Sequence, residues 1–346
     1  MKAMMLTGIR KMEMKHVPEP LISDDHDVKI RMDVVGVCGS DIHYYQQGKI
    51  GSQVVQYPFT VGHEGAGTVV ETGPTVTRVK PGDRIAIEPA MPCHECDQCR
   101  AGRHHTCRKL KFLGCPGQAE GCLSEYLVMP ETSCFPISHR LTFDEAAISE
   151  PLAIGIYAVR QSIPMPNSSI AVLGSGPIGM SVMLAAKAAG CLKVYMTDKL
   201  DERLLCVKQA GADWTGNVDK VDVVSLIHHQ KPLMLDAVFE CCGKQEAFDQ
   251  AIELLKPGGK LILVGIPEFD HWQVPADVAR RKEITIQNIR RQVDCVEPAL
   301  EYLSNGTIKV TAMATHRFAF KDTPSAFELV AGYRDGVMKA MIDFRI

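Results

Sequence analysis

With 346 residues, 46% hydrophobic and 23% charged, the chain has the composition of an ordinary globular protein and the length for two domains with separate cores. A formal net charge of -3 without a dense Lys/Arg run argues against nucleic acid. No apolar stretch reaches the ~18 residues of a membrane helix or forms a signal-peptide core near the N-terminus, so a cytoplasmic protein without a membrane partner is expected.

Residues 1 to about 35 alternate short apolar runs with Pro-rich turns, and Val28-Lys29-Ile30-Arg31-Met32 has the period-two pattern of a half-buried strand. That strand leads into Cys38-Gly39-Ser40-Asp41-Ile42-His43-Tyr44, expected as a turn, which offers a thiolate, a hydroxyl, a carboxylate and an imidazole close together. Gly62-His63-Glu64 adds an imidazole and a carboxylate, and Glu150-Pro151 one more carboxylate. Cys, His and Glu together suit zinc, whereas Cys38 taken alone would read as a small buried hydrophobe. Between residues 60 and 90, glycines break up short Val/Ile runs, the texture of a β-rich domain or a partly closed barrel. The chain holds 13 cysteines, and without a secretory signal clustered Cys reads as metal binding rather than as a disulfide framework. Cys93-x2-Cys96-x2-Cys99-x7-Cys107 is such a cluster. Four thiolates close a tetrahedral zinc site with no open position, so this one is structural. The distance to the fourth Cys, and the absence of a Pro after it, disfavour an iron–sulfur cluster.

From about residue 150 the texture changes. Ser169-Ile170-Ala171-Val172-Leu173 is a continuous apolar run, as in a strand covered on both faces. It feeds Gly174-Ser175-Gly176-Pro177-Ile178-Gly179 and an Ala/Met/Leu-rich helical stretch, and a second strand ends at Asp198. A glycine loop between strand and helix, with an acid after the next strand, is the context of a dinucleotide site. Helix 202–210 follows, then the apolar run Val221-Asp222-Val223-Val224, another strand at 237–240, a helix at 247–255, a turn at 256–259, and strands at 260–265 and 283–287. This alternation implies a doubly wound parallel sheet. The last sixty or so residues return to mixed strand and helix.

Together these motifs resemble the zinc-dependent medium-chain dehydrogenases, and most closely their sorbitol (L-iditol 2-) dehydrogenase, or polyol dehydrogenase, branch, over nearly the whole length. Gly62-His63-Glu64 followed by Gly65 and Gly67, Pro81-Gly82-Asp83-Arg84, the four-Cys lobe, the Gly174 loop and Thr315-His316-Arg317-Phe318 fall in the family's order. His43 through Gly51, Ile87-Glu88-Pro89, Glu150 through Gly155 and the Arg290 segment match the polyol branch. Cys122 departs from the pattern, standing where the family has a small residue, and the four-Cys lobe is more like that of microbial members. The resemblance implies an α/β fold. A GroES-like β-rich catalytic domain would span 1–151, with its zinc lobe at 93–107. A Rossmann domain would follow at 152–288, and 289–346 would return to the catalytic domain. A homodimer or homotetramer is implied.

The implied reaction is NAD-linked oxidation of a secondary alcohol of a sorbitol-, xylitol- or L-iditol-like polyol. The runner-up is another zinc branch, acting on threonine, butanediol, a sugar acid or a polyol phosphate. Two zinc ions per chain are implied. Cys38, His63 and Glu64 would hold the catalytic one, and Glu150 would reach it directly or through water. Three protein ligands leave a position for an alcohol oxygen. Ser40 and His43 would relay the proton, and Asp41 would accept from the second ring nitrogen of His63. Asp198 would accept from both adenosine ribose hydroxyls, which favours NAD over NADP, with Lys199 and Arg203 near enough to receive a phosphate. Gly174, Gly176, Pro177, Ile178, Gly179, Val264, Gly265, Ile266, Asn288, Ile289 and Arg290 would line the dinucleotide. Tyr44, Phe112, Glu150, Arg290 and Arg291 would contact substrate.

Overall fold

The computed structural model describes all 346 residues, and the chain divides into two compact units: Met1–Glu150 with Val296–Ile346, and Pro151–Cys295. The second unit ends at Cys295 rather than at 288.

In the first unit, strand β1 (Asp27–Gly36) is central to a seven-stranded sheet. It pairs antiparallel with β2 (Glu64–Thr72), with Tyr126–Pro130 and with Lys339–Asp343. The last of these carries a parallel partner, Ala314–Ala319. Val28, Ile30, Met32, Val35 and Val37 pack with Leu6, Ile85, Leu123 and Phe327 in one core. Each such buried side chain contributes about 1.5–3 kcal/mol of transfer free energy. The expected alternation is incomplete, because Lys29 is buried as well, with its ammonium on Glu19 at 2.6 Å. The segment expected as a turn after β1 is a helix, α1 (Gly39–Gln47). Cys38 is its N-cap, and Asp41, in the first turn, accepts the Cys38 backbone N–H at 3.1 Å. An acid three residues into a helix suits both that orphan donor and the helix dipole. A longer helix, α2 (Phe143–Arg160), carries Glu150 and Pro151 in its interior.

The second unit is a parallel sheet of β3 (Ser169–Leu173), β4 (Lys193–Asp198), β5 (Trp214–Asn217), β6 (Leu235–Glu240), β7 (Leu255–Leu263) and β8 (Thr285–Asn288), in the order β5-β4-β3-β6-β7-β8. The chain winds outward in both directions from the β3/β6 junction, so the crevice at the carboxyl ends of those two strands is where a doubly wound sheet binds its ligand. Helix α3 (Pro177–Ala188) follows the glycine loop, with Pro at its first position. Two expectations change. The run Val221–Val224 leads into a helix, Val223–Gln230, because the Asp222 carboxylate caps it by accepting Ser225 N–H at 3.0 Å. Residues 256–259 are not a separate turn. They lie within β7, with Gly258 at φ 74° and a register slip against β6. No helix is long and apolar enough to cross a membrane.

Candidate active site

The end of β1 and the start of β2 bring Cys38, His63 and Glu64 together, with one ligand atom from each lying within 4.8 Å of the others. Sulfur, nitrogen and oxygen donors in one cluster suit zinc and leave a coordination position open. Glu150 is not part of this cluster; it is buried on α2. His63 Nδ1 lies 3.4 Å from Asp41 Oδ1, which also accepts Gly62 N–H at 3.2 Å. Burial disfavours the charged imidazole, but Asp41 and Cys38 outweigh it and hold the His63 pKa well above its ordinary value. The same negative field favours a dication, beside which His63 would be a neutral ligand oriented by Asp41. The Phe112 ring lies 5.5 Å from the His63 ring. Ser40 Oγ donates to Cys38 Sγ at 3.4 Å, and His43 follows half-buried on α1.

Cys93, Cys96, Cys99 and Cys107 form a second cluster. Their Sγ atoms are 3.4 Å apart for Cys93–Cys107, 3.6 Å for Cys96–Cys99 and 3.9 Å for Cys96–Cys107. A tetrahedron of Zn–S bonds near 2.3 Å has edges of about 3.8 Å, so the cluster fits zinc without rearrangement. Backbone N–H groups of Arg108 and Cys99 point at Cys96 and lower its thiol to about 6. Burial instead raises Cys99 to about 12. None of the thirteen cysteines forms a disulfide.

In the second unit Gly174 has φ 99°, and a Cβ on Gly179 would stand 1.8 Å from the Gly174 carbonyl oxygen. Only glycine allows that turn and that approach. Asp198 ties the loop to β4: its Oδ2 accepts Ser175 N–H at 2.7 Å and its Oδ1 accepts Leu200 N–H at 3.0 Å. Each carboxylate oxygen keeps a lone pair for a further donor. The Arg203 guanidinium lies over Gly176, 3.2 Å from where a Cβ would be, while Lys199 is exposed. Pro177 and Ile178 open α3. Val264, Gly265 and Ile266 follow β7, and Asn288 ends β8, with the Ile289 N–H bonded to the Leu263 carbonyl at 2.8 Å. Arg290 is exposed in the next turn, and Arg291 adopts φ 54°.

Residues 24–139 match the alcohol dehydrogenase GroES-like domain, and residues 177–305 match the zinc-binding dehydrogenase domain. L-idonate 5-dehydrogenase of Vitis vinifera is 35% identical over 94% of this chain and 90% of its own length. Sorbitol dehydrogenase of Bacillus subtilis is 32% identical over 99% of this chain and 97% of its own. The chain belongs to the zinc-binding dehydrogenase family. A short chain alcohol dehydrogenase from Escherichia coli, solved with the cofactor NADH, superposes on this dehydrogenase with a TM-score of 0.91 at 26% identity, covering 99% of each chain.

Two residues of the dehydrogenase site have no signal in the linear sequence. Lys339, 1% exposed, donates to both carboxylate oxygens of Glu64 at 2.5 and 2.6 Å and to the Val37 carbonyl at 3.4 Å. Burial works against its charge, but Glu64 and then Cys38 keep its pKa above the ordinary value. Glu64 is therefore not a free ligand: a fixed cation stands on it. The pair crosses β1 at Gly36, where a Cβ would lie 2.4 Å from Glu64 Oε2 and 3.4 Å from Lys339 Cδ. Gln53 is the other. It accepts from the Tyr44 hydroxyl at 3.2 Å, and Cys115 Sγ lies 3.8 Å from the same hydroxyl. The Tyr44 hydroxyl, expected to face substrate, is thus already engaged on the protein.

Proposed function

We propose that this dehydrogenase oxidises a secondary alcohol of a sorbitol-, xylitol- or L-iditol-like polyol to the ketose and passes the hydride to NAD. The observation that carries the reading is the open S, N, O cluster of Cys38, His63 and Glu64, held apart from a closed four-thiolate lobe. The sorbitol dehydrogenase relatives, and the L-idonate 5-dehydrogenase and D-xylulose reductases beside them, support a polyhydroxylated substrate. Zinc bound at the mixed cluster would act as a Lewis acid that makes the alcohol proton easier to lose, while NAD would take the hydride and its electron pair.

The chain's own residues supply the remaining parts. Asp41 orients His63, and Lys339 holds Glu64. Ser40 and His43 move the hydroxyl proton toward solvent. Tyr44 with Gln53, Phe112, Glu150, Arg290 and Arg291 would bind the hydroxylated chain. Asp198 would accept from the adenosine ribose and favour NAD over NADP. A homodimer or homotetramer is supported by the open edge of β8, where Ile286 is 36% exposed. A cytoplasmic setting is supported by thirteen cysteines outside any disulfide.

The 35% identical L-idonate 5-dehydrogenase favours a second reading, oxidation of a sugar acid. NAD reduction across sorbitol, xylitol, L-arabinitol, ribitol, galactitol, L-idonate, threonine, butanediol and ethanol separates the two. The polyols should lead. Faster turnover of L-idonate would move the assignment to the sugar acid, and faster turnover of ethanol or threonine would overturn both readings.

A further inference from the structure

The crevice at the carboxyl ends of β3 and β6 is built around one fully buried acid, Glu240. It ends β6, paired with Leu173 of β3 on one side and Leu263 of β7 on the other. Its backbone carbonyl accepts Val264 N–H at 2.8 Å and Gly265 N–H at 2.9 Å, and the next residue, Cys241, donates its N–H to Leu173 at 2.8 Å. Its Oε1 accepts Gly243 N–H at 2.6 Å, Cys242 N–H at 2.8 Å and Cys242 Sγ at 3.0 Å. Its Oε2 is buried with no hydrogen-bond partner.

Of the surrounding glycines, Gly265 meets this side chain directly, and Gly243 and Gly174 bring the neighbouring turns against one another. A Cβ on Gly265 would stand 2.7 Å from Glu240 Oε2 and 2.3 Å from Gly243 N. A Cβ on Gly243, at φ 67°, would stand 2.3 Å from the Ile266 carbonyl oxygen. A Cβ on Gly174 would stand 3.2 Å from Cys242 Cβ. Three turns of the dinucleotide crevice, at 174–176, 241–243 and 264–266, therefore pack on one another, and Glu240 joins the second to the third. A buried carboxyl oxygen without a partner is rare, and nothing in ordinary core packing favours an acid here. Burial also pushes the Glu240 carboxyl above its ordinary pKa, against the pull of the donors on Oε1.

We propose that Glu240 is a positioning residue for the dinucleotide: without touching it, Glu240 sets the Cys242–Gly243 and Gly265–Ile266 turns in the register that admits NAD between them and the Gly174 loop. This rests on the dinucleotide reading of the crevice and is independent of which alcohol is oxidised.

The test is calorimetric NAD binding to the zinc-loaded full chain and its Glu240→Ala, Glu240→Gln and Glu240→Asp variants, with zinc content, thermal midpoint, KM for NAD and kcat measured alongside. Glu240→Ala removes the acceptor and should weaken NAD binding at least about tenfold, with KM rising in step and kcat at saturating NAD little changed. Glu240→Gln keeps an acceptor of the same reach and should recover most of the affinity. Glu240→Asp keeps the charge but draws the acceptor back from the Cys242 and Gly243 N–H groups, so it should lose affinity in the same direction, which keeps the test alive if Glu240→Ala does not fold. Unchanged NAD affinity in Glu240→Ala or Glu240→Asp, with only the thermal midpoint lowered, would make Glu240 a structural staple and overturn the proposal. Failure of glutamine to recover affinity in a folded variant would also overturn it. An unaltered protein that bound no NAD would instead overturn the dinucleotide reading itself.

Discussion

Replacing Lys339 by Met tests the buried pair at the mixed cluster most directly. Methionine keeps a similar unbranched stem in the slot over Gly36, so the change is mainly one of charge. Both partners are 1% exposed, and the ammonium touches both oxygens of Glu64. Removing one member of such a pair leaves a carboxylate buried alone, which costs about 3–5 kcal/mol. That loss should appear in full when the mixed cluster holds no zinc. With zinc bound, Glu64 has another cation to face, and part of the loss is recovered. Linkage then requires that Lys339→Met bind zinc at this cluster more tightly than the unaltered chain does. If zinc offsets about 2 kcal/mol, the gain is roughly thirtyfold, at about 1.4 kcal/mol per tenfold. Turnover should nevertheless fall, because a Glu64 no longer shared with Lys339 would give more of its charge to the zinc and weaken the pull on the alcohol proton. Thermal unfolding with and without zinc, together with competition against a chromophoric chelator, reads both quantities. Equal destabilisation in the two states, or weaker zinc binding in the variant, would refute the idea that Lys339 and zinc compete for Glu64.

Elemental analysis should find two zinc ions per chain, and mild chelation should remove the one at Cys38, His63 and Glu64 first, abolishing turnover while circular dichroism is unchanged. Asp198→Ala should weaken NAD binding by about 1–3 kcal/mol in isothermal titration and narrow the preference over NADP. Part of that loss would come from the Ser175 and Leu200 N–H groups left without an acceptor. Tyr44→Phe should lower kcat/KM for the polyol more than for a short monoalcohol, because Gln53 loses the donor that orients it; equal losses would place both residues outside the substrate path. Asp343, held down to about 2 by Arg345 and Arg317, should contribute stability in full above the ordinary carboxylate value of 3.8 and lose it as pH falls toward 2. The difference in thermal midpoint between the unaltered chain and Asp343→Asn should close over that window.

The parallel sheet was legible because its central strands are buried on both faces. Ser169–Leu173 reads as unbroken apolar sequence, and the glycine loop and Asp198 sit at fixed offsets from it. Trp214–Asn217 was missed because a short strand containing Gly and Asn carries no such run. Val221–Val224 misled for the opposite reason: its β-branched residues look extended, but Asp222 caps a helix there. At the site, Cys38, His63 and the four-Cys lobe were legible because the ligand types are rare and locally spaced. Lys339 was not, since its meaning depends on the pairing of Met341 with Gly36 and of Gly36 with Glu64. Three segments far apart in sequence make that contact, and one cation in a buried strand does not announce which acid it meets.

The two metal clusters are assembled by different means, and this separates their roles. Cys93 to Cys107 lie on one local loop, with Cys93 N–H and Lys109 N–H both bonded to Cys107 Sγ. Arg108 on Asp97 at 2.5 Å and Lys109 on Glu95 at 2.6 Å close the same lobe from outside, and zinc bound by the four thiols would add to these local restraints. Cys38, His63 and Glu64 are fixed by β1, β2, the cap of α1 and the Lys339 strand, through backbone ladders that need no metal. Asp41 adds a second restraint by bonding Cys38 N–H and Gly62 N–H while facing His63. A cluster held this way would hold zinc in a geometry set by the protein rather than by the ligand in the open position. A cluster that depended on the metal for its shape would relax each time the coordination changed. The mixed cluster would therefore keep its shape through a change of bound ligand, whereas a shell of four thiolates leaves no position at which such a change could occur.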